Sequence, residues 1–385
     1  MRKKIILFLL ALTLIAVLSN FTLFAEDPQT SNSEDIFETF NEVMSYIFTY
    51  HVDENNLDDL IMGAMKGMVN TLDPYSSYMT EDEFEEMQVE YEGHFGGIGI
   101  VITPDLTIIS PIKGTPAERV GIQSGDKIIA IEGEPTELMT QKEAVDLMRG
   151  EPGTEIDITV DREGQEDVIE FNITREDIEV PYVEWEMKNE KIGYINISQF
   201  VENVGQKVNK AVKELENQGA EALILDLRSN PGGLLNEAIN VSSNFIEKGT
   251  VVSVKYKVGK DDVYKIEPDL YSTDLPLLVL INQGSASASE IVAAAVKDYR
   301  RGTLMGMKTF GKGTVQSLFP MEDGSALKFT TGRYYSPADD YIHEKGIKPD
   351  VEVDYDPEHE GDNQLEAALQ YIEDMYFADE SKQAS

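Results

Sequence analysis

Three short stretches carry the residue types that chemistry needs. The first, "LVLINQGSASASEIVAAAVKDYRR" (278–301), passes from an apolar run through small residues into a helical pattern. Ser287 and Glu290 there fit the S-x-x-E capping box of a helix start. A serine at that point also lies beside unpaired N–H groups and the positive end of a helix dipole, where an oxyanion is stabilised. The second, "DLRSNPGGLL" (226–235), is another strand-to-helix transition, whose glycines can aim a backbone N–H at an anion. The third, "KTFGKGTVQ" (308–316), comes close to a phosphate-binding loop. Gly313 stands where the magnesium-holding Ser/Thr would be, and two extended runs joined by Asp323-Gly324 follow instead of a helix, so that reading is rejected.

Lys312 then lies on or beside a strand, with Gln316 on the same face by the period of two. A serine nucleophile needs a base near neutral pH. The chain has only His51, His94, His343 and His359, none in an evident constellation with Ser287, which argues against a Ser-His-Asp triad. A lysine serves if desolvation lowers its pKa from about 10.4 towards 7–8. Phe310, Gly311, Gly313 and Val315 are apolar or small, as that demands, and Gln316 can orient the amine without adding charge. A helix from Ser287 to Arg301 carries the chain about 22 Å away, and an extended return from Thr303 spans about 30 Å, so the two can meet.

The surrounding pattern defines the elements that must position these groups. Helical spacing appears at Ile36–Phe48 and Leu57–Leu72, two amphipathic helices expected to pack on each other. Their methionine-rich face suits a core, with a homodimer contact as the alternative. From about Tyr91 to Val180 short strands dominate, and "GIQSGDKIIAIEG" (121–133) within them resembles a PDZ domain. That resemblance implies a tail-binding loop at Gly97, Ile98, Gly99 and Ile100, where backbone N–H groups take a peptide C-terminal carboxylate and the peptide adds as a strand. From Val180 onward strands and helices alternate, as in an α/β fold. Asp354–Asp362 reads as an acidic linker before a last helix through Leu365, Ala368, Leu369, Ile372 and Met375.

The 385 residues imply two to three domains. With 32 basic and 71 acidic residues the net charge is −39, which excludes nucleic acid as a partner and disfavours an anionic membrane surface for the body of the chain. Arg2, Lys3 and Lys4 before Ile5–Leu18, with Ala25 before Glu26, read as an export signal. At 21 residues Ile5–Ala25 is also long enough for an uncleaved membrane anchor. Either way the body works outside the cytoplasm, in the periplasm or on the outer side of the cytoplasmic membrane. With no cysteine, disulfides, thiol nucleophiles and thiolate metal sites are excluded, and no metal or cofactor is expected.

"LDPYSSYM" (72–79), the PDZ-like unit, "DLRSNPGG", "GSASASEI", "TFGKGTVQ" and "GIKPDVEV" (346–353) occur in that order. Together they resemble the carboxy-terminal processing peptidases, the tail-specific serine proteases, over nearly the whole chain. The resemblance implies Ser287 as nucleophile, Lys312 as general base, Gln316 as its positioner, and Gly233 and Ala288 as oxyanion N–H donors. It implies an α/β, crotonase-like (ββα spiral) protease core with the PDZ-like domain inserted and helices at both ends. The expected organisation is a signal or anchor at 1–25, a linker at 26–34, helices at 35–90, the PDZ-like domain at 91–178, the protease core at 179–355, and linker plus helix at 356–385. Asp298 matches a further acidic family position and is read as structural, pairing with Arg300, Arg301 or a backbone end. Arg149 is a candidate to signal between domains. Ala338-Asp339-Asp340 departs from the Gly and basic residue the family usually carries there.

The expected activity is exported endoproteolysis of proteins with free C-terminal tails. A non-catalytic PDZ scaffold is the alternative, opposed by the intact Ser287, Lys312 and Gln316 set. An acyl-CoA enzyme of the crotonase type would share the fold, but export, the PDZ-like insertion and the acidic surface argue against it.

Overall fold

The computed structural model describes residues 33–377. The export signal or anchor therefore lies outside the described residues. Two units divide between Met68 and Val69.

In the first unit, α1 (Ser33–Tyr50) and the start of α2 (Leu57–Asn70) are amphipathic helices. Their apolar side chains do not bury one another as expected: Ile36 is 62% and Phe37 58% exposed, and Phe40, Val43 and Ile61 are exposed too. Two short helices lack the surface to enclose a core of their own.

The second unit opens with β1 (Ser77–Met79) and α3 (Glu81–Glu92), the latter started by a Thr80/Glu83 capping box and ended at Gly93 in the left-handed conformation. The PDZ-like body follows. It comprises β2 (His94–Gly97), β3 (Ile100–Ile102), β4 (Ile108–Pro111), α4 (Pro116–Val120), β5 (Lys127–Ile131), β6 (Glu134–Pro135), α5 (Gln141–Met148), β7 (Glu155–Asp161), β8 (Ile169–Thr174) and β9 (Glu176–Glu179). A four-stranded sheet β6-β5-β7-β8 and the pairs β3-β4 and β2-β9 enclose a core of Ile128, Ile131, Ile156, Ile158, Val160 and Ile173. Gly99, at φ +80°, breaks "GGIGIVI" into β2 and β3.

The remaining elements are β10 (Val183–Lys188), β11 (Ile192–Ile197), α6 (Val204–Asn217), β12 (Ala222–Asp226), α7 (Leu235–Ser243), β13 (Thr250–Tyr256), β14 (Asp262–Lys265), β15 (Leu277–Ile281), α8 (Ala288–Asp298), β16 (Thr303–Gly306), β17 (Thr314–Pro320), β18 (Ala326–Tyr335), β19 (Val351–Glu352) and α9 (Asn363–Ile372). A six-stranded sheet runs β10-β11-β12-β15-β16-β19, parallel except for β10. Its strands are apolar on both faces. Leu223 and Leu225 enter the main core with α6, α7 and α8, while Ala222 and Ile224 face Ala368 and Ile372 of α9.

An antiparallel sheet, β1-β18-β13-β14 with β17 on β18, covers the other side of the main core through Val252 and Val254. The β13–β14 hairpin was not anticipated, although "VVSVKY" alternates in the manner of a strand.

Candidate active site

Strand β15 ends at Ile281 and α8 begins at Ala288, so the small-residue stretch is the turn between them. Ser287 sits there at φ 54°, ψ −111°, a conformation that costs energy for any side-chain-bearing residue and persists only when its surroundings enforce it. Those surroundings are visible. Ala286 donates its N–H to the Asn230 carbonyl at 3.0 Å, and Ser289 Oγ donates to the same oxygen at 3.0 Å. Asn230, fully buried, donates to the Ile197 carbonyl at 2.7 Å and accepts the Gly232 N–H at 2.9 Å. One residue thus fastens the two turns, its backbone carbonyl holding the serine turn and its side chain holding the glycine turn of "SNPGG" to Ile197.

The glycines are required. A Cβ on Gly232 would stand 2.8 Å from Ser287 Cβ, and one on Gly233 (φ +142°) would stand 2.1 Å from the Phe200 carbonyl oxygen. Among the described residues, neither the Gly233 nor the Ala288 N–H has a protein acceptor. Two backbone donors are therefore left free beside Ser287.

Glu290 does more than cap the helix. Its buried carboxylate accepts the Ser287 N–H at 2.9 Å and the Lys312 N–H at 2.8 Å on Oε2. On Oε1 it accepts Thr309 Oγ1 at 2.6 Å and the Gly311 N–H at 2.7 Å. This one group holds the serine turn to the lysine loop, a connection the S-x-x-E spacing does not reveal.

Lys312 precedes β17 and opens into the same cavity as Ser287, Gly232, Gly233 and Gln316, about 550 Å³ in volume. Burial, aided by the neighbouring Lys328 ammonium, lowers its pKa from the ordinary lysine value, while Asp73 and Glu290 pull the other way. No hydrogen bond joins Ser287 Oγ to Lys312 Nζ among the described residues; Nζ lies 4.6 Å from the centroid of the Tyr75 ring. Gln316 also faces the cavity, but its amide donates to Thr314 Oγ1 at 3.0 Å and Thr330 Oγ1 at 3.2 Å, not to the lysine. A register irregularity between Val315 and Gln316 accompanies that arrangement. Leu234, Leu318, Tyr91, Tyr256, Tyr264 and Tyr334 make much of the wall apolar or phenolic, and Glu90, Gln199 and Lys328 also line it.

None of the four histidines lines this cavity. His94 pairs with Asp177, and His359 with Glu366. Asp298 accepts Ser336 Oγ at 2.6 Å and the Ala338 N–H at 2.9 Å, so its side-chain partner is a serine rather than Arg300 or Arg301. Arg301 is spent on the carbonyls of Phe245, Thr273 and Leu275. At the end of β12, Arg228 bridges Asp226 and Asp362, with Tyr194 Oη donating to Asp226 at 2.8 Å. A larger cavity of about 840 Å³ beside this network contains neither Ser287 nor Lys312.

In the PDZ-like body, the N–H groups of Ile98 and Gly99 have no backbone acceptor among the described residues, while their carbonyls accept the N–H groups of Ala117 and Ile112. A Cβ on Gly99 would fall within 2.6 Å of three Thr115 side-chain atoms. Gln141 of α5 donates to the Ile102 carbonyl at 3.2 Å, across the strand edge where a peptide would add. Lys142 of α5 is paired with Glu86 of α3. Arg149 stacks over Phe95 at 5.0 Å and shares a cavity with Glu86 and Glu90.

The model described as peptidase family S41 matches residues 191–353, a PDZ-domain model matches 107–162, and one described as the activating protease CtpB N-terminal domain matches 17–83. Carboxy-terminal processing protease CtpA of Bacillus subtilis (strain 168) is 38% identical over 366 residues, covering 92% of this chain and 78% of the relative. The chain belongs to the carboxy-terminal processing proteases. Another member, the carboxy-terminal-processing protease of Bartonella bacilliformis, is 37% identical over 366 residues, covering 92% and 83% of the two chains. Among solved structures, the photosystem II D1 C-terminal processing protease aligns with a TM-score of 0.49 at 28% identity, covering 82% of this chain and 86% of that one. As a family S41 member with a PDZ domain, the protein is a serine peptidase acting on protein or peptide substrates.

Proposed function

We propose that this carboxy-terminal processing protease cleaves by a Ser287/Lys312 dyad. The observation that carries the reading is the meeting in one cavity of a strained serine, a half-buried lysine and Gly233, whose N–H is free, with the free Ala288 N–H next along the chain from Ser287. Ser287 Oγ attacks the scissile carbonyl carbon while the neutral Lys312 amine takes its proton. The N–H groups of Gly233 and Ala288 hold the resulting oxyanion. Lys312 then returns the proton to the leaving amine, and water, deprotonated by Lys312 in turn, hydrolyses the acyl-enzyme. Gln316, facing the same cavity, orients the amine once the lysine turns towards Ser287.

The substrate's C-terminal carboxylate docks on the N–H groups of the Gly97–Ile100 segment, and its tail adds along β3 in place of the Gln141 contact. Arg149 is the candidate relay, because Glu90 lines both its cavity and the active one. The core is read as a crotonase-like spiral from its β-α alternation under a second sheet. The basic and apolar N-terminal segment supports export to the periplasm or the outer side of the cytoplasmic membrane, with or without a retained anchor. The exposed apolar faces of α1 and α2 support homodimer formation.

Lys312→Ala and Ser287→Ala, each checked for native circular dichroism, test the dyad on an unstructured protein with a free C-terminal tail. Both are expected to abolish fragment formation; near wild-type turnover in either variant would refute it.

A further inference from the structure

The "LDPYSSYM" stretch takes no part in the acyl transfer above, yet its turn is built with care. The Asp73 carboxylate accepts the Tyr75 N–H at 2.8 Å and Ser76 Oγ at 2.9 Å, an Asx-turn. Those hydrogen bonds lower the Asp73 pKa against the opposing effect of burial and keep the group ionised. Ser76 Oγ, buried, in turn accepts the Thr330 N–H at 3.3 Å, and β1 pairs onward with β18 through Ser77 and Lys328. The turn is therefore fastened to the strand that roofs the active cavity. The turn residue it presents to that cavity is Tyr75.

Lys312 Nζ lies 4.6 Å from the Tyr75 ring centroid, inside the range of attraction between an ammonium and an aromatic face. Among the described residues it has no hydrogen bond or ion pair. The Gln316 amide, the group expected to hold it, is engaged by Thr314 and Thr330. Among the described residues the ring is thus the direct partner of the ammonium, while Asp73 and Glu290 favour the charged form without an ion pair.

We infer that Tyr75 is a positioning residue for Lys312: its ring seats the ammonium in the substrate-free enzyme and releases it for the amine to reach Ser287. The inference rests on Lys312 being the general base. A lysine held on the ring as the ammonium is not available to take the Ser287 proton, so Tyr75 sets how much of the base is ready at a given pH. The other charged groups near the amine are Asp73 before β1, Glu290 on α8 and Lys328 on β18, with Glu90 of α3 on the cavity wall. Tyr91, Tyr256 and Tyr334 of that wall have phenols raised above the ordinary value, chiefly by burial, and stay neutral.

The test uses the full chain with its lysines reductively ¹³C-methylated, the Lys312 signal being assigned by its loss in Lys312→Arg. In the wild type that signal should show an aromatic ring-current shift; its absence would overturn the seat without any variant at Tyr75. Tyr75→Leu should lower the Lys312 titration by about 0.4–1.5 pH units, from a cation–π strength of roughly 0.5–2 kcal/mol. Tyr75→Phe, which keeps the ring, should leave it in place. The acid limb of kcat/KM in unmethylated enzyme should move by the same amount, giving about 2- to 30-fold more activity on that limb for Tyr75→Leu. A purely structural residue would scale the whole profile and leave the limb where it is. A folded Tyr75→Leu with an unmoved Lys312 titration, or a Tyr75→Phe that moves it as far, would overturn the inference. A titration that moves while the acid limb does not would uphold the seat and refute Lys312 as the base.

Discussion

Glu290→Gln is the sharpest perturbation the site offers, because it changes almost no volume. The carboxylate receives four donors, two on each oxygen, and donates nothing in return. A glutamine amide presents one oxygen and one NH2. Whichever way it turns, two of the four donors face another donor. Each buried donor left without an acceptor costs about 1–3 kcal/mol, so the pair costs about 2–6 kcal/mol, reduced by relief from burying a charge. That is a large part of an ordinary domain's stability of about 5–15 kcal/mol.

The loss falls where it matters, since the orphaned pair is either Ser287 and Lys312 or Thr309 and Gly311, all on the two catalytic segments. A displacement of about 1 Å between reacting groups lowers rate on the order of 100-fold. Steady-state hydrolysis of a quenched fluorescent peptide, with denaturant unfolding of the same preparation, reads both effects. We expect kcat/KM to fall by at least about 100-fold and the unfolding midpoint to drop. A variant within about threefold of wild type in kcat/KM with an unshifted midpoint would refute the role assigned to this carboxylate.

Three further outcomes follow from the geometry. The neutral amine is the active form, and burial lowers the Lys312 pKa, so kcat/KM should rise with pH and level off below the ordinary lysine value near 10.4; a limb at or above it in a pH–rate profile would contradict the burial. Gly233→Ala places a methyl 2.1 Å from the Phe200 carbonyl at φ +142°, so the turn must shift and kcat should fall at least about 100-fold with little change in peptide-tail affinity. Gly99→Ala crowds Thr115 at φ +80°; by fluorescence anisotropy it should weaken binding of a free-carboxylate tail peptide about tenfold or more, leaving an amidated control unchanged.

Much of the site was legible because its chemistry sits at element ends. The apolar strand, small-residue turn and helix around Ser287 follow from composition, as does the hairpin after Lys312 with its Asp323-Gly324 turn. What escaped depends on pairs far apart in sequence. Nothing in S-x-x-E says that Glu290 will also receive Thr309, Gly311 and Lys312, and spacing alone placed Gln316 with the lysine, whereas Thr314 and Thr330 take its amide. Asp298 is read from the sequence as pairing with Arg300, Arg301 or a backbone end; it does take a backbone N–H, that of Ala338, but its side-chain partner is Ser336, just past β18. The two N-terminal helices were expected to bury one another, because periodicity identifies an apolar face and is silent about what covers it. Tyr75 stands in the sequence only as a letter of "LDPYSSYM", since the value of its ring depends on a lysine more than two hundred residues away.

Arg228 couples the outgoing end of β12 to Asp362, which also caps α9 by accepting the Leu365 N–H at 3.0 Å. The last helix is consequently a brace for the loop that carries "SNPGG", and its Ala368 and Ile372 help close the underside of the parallel sheet. Removing the stretch from Asp362 onward would strip a support from the catalytic floor.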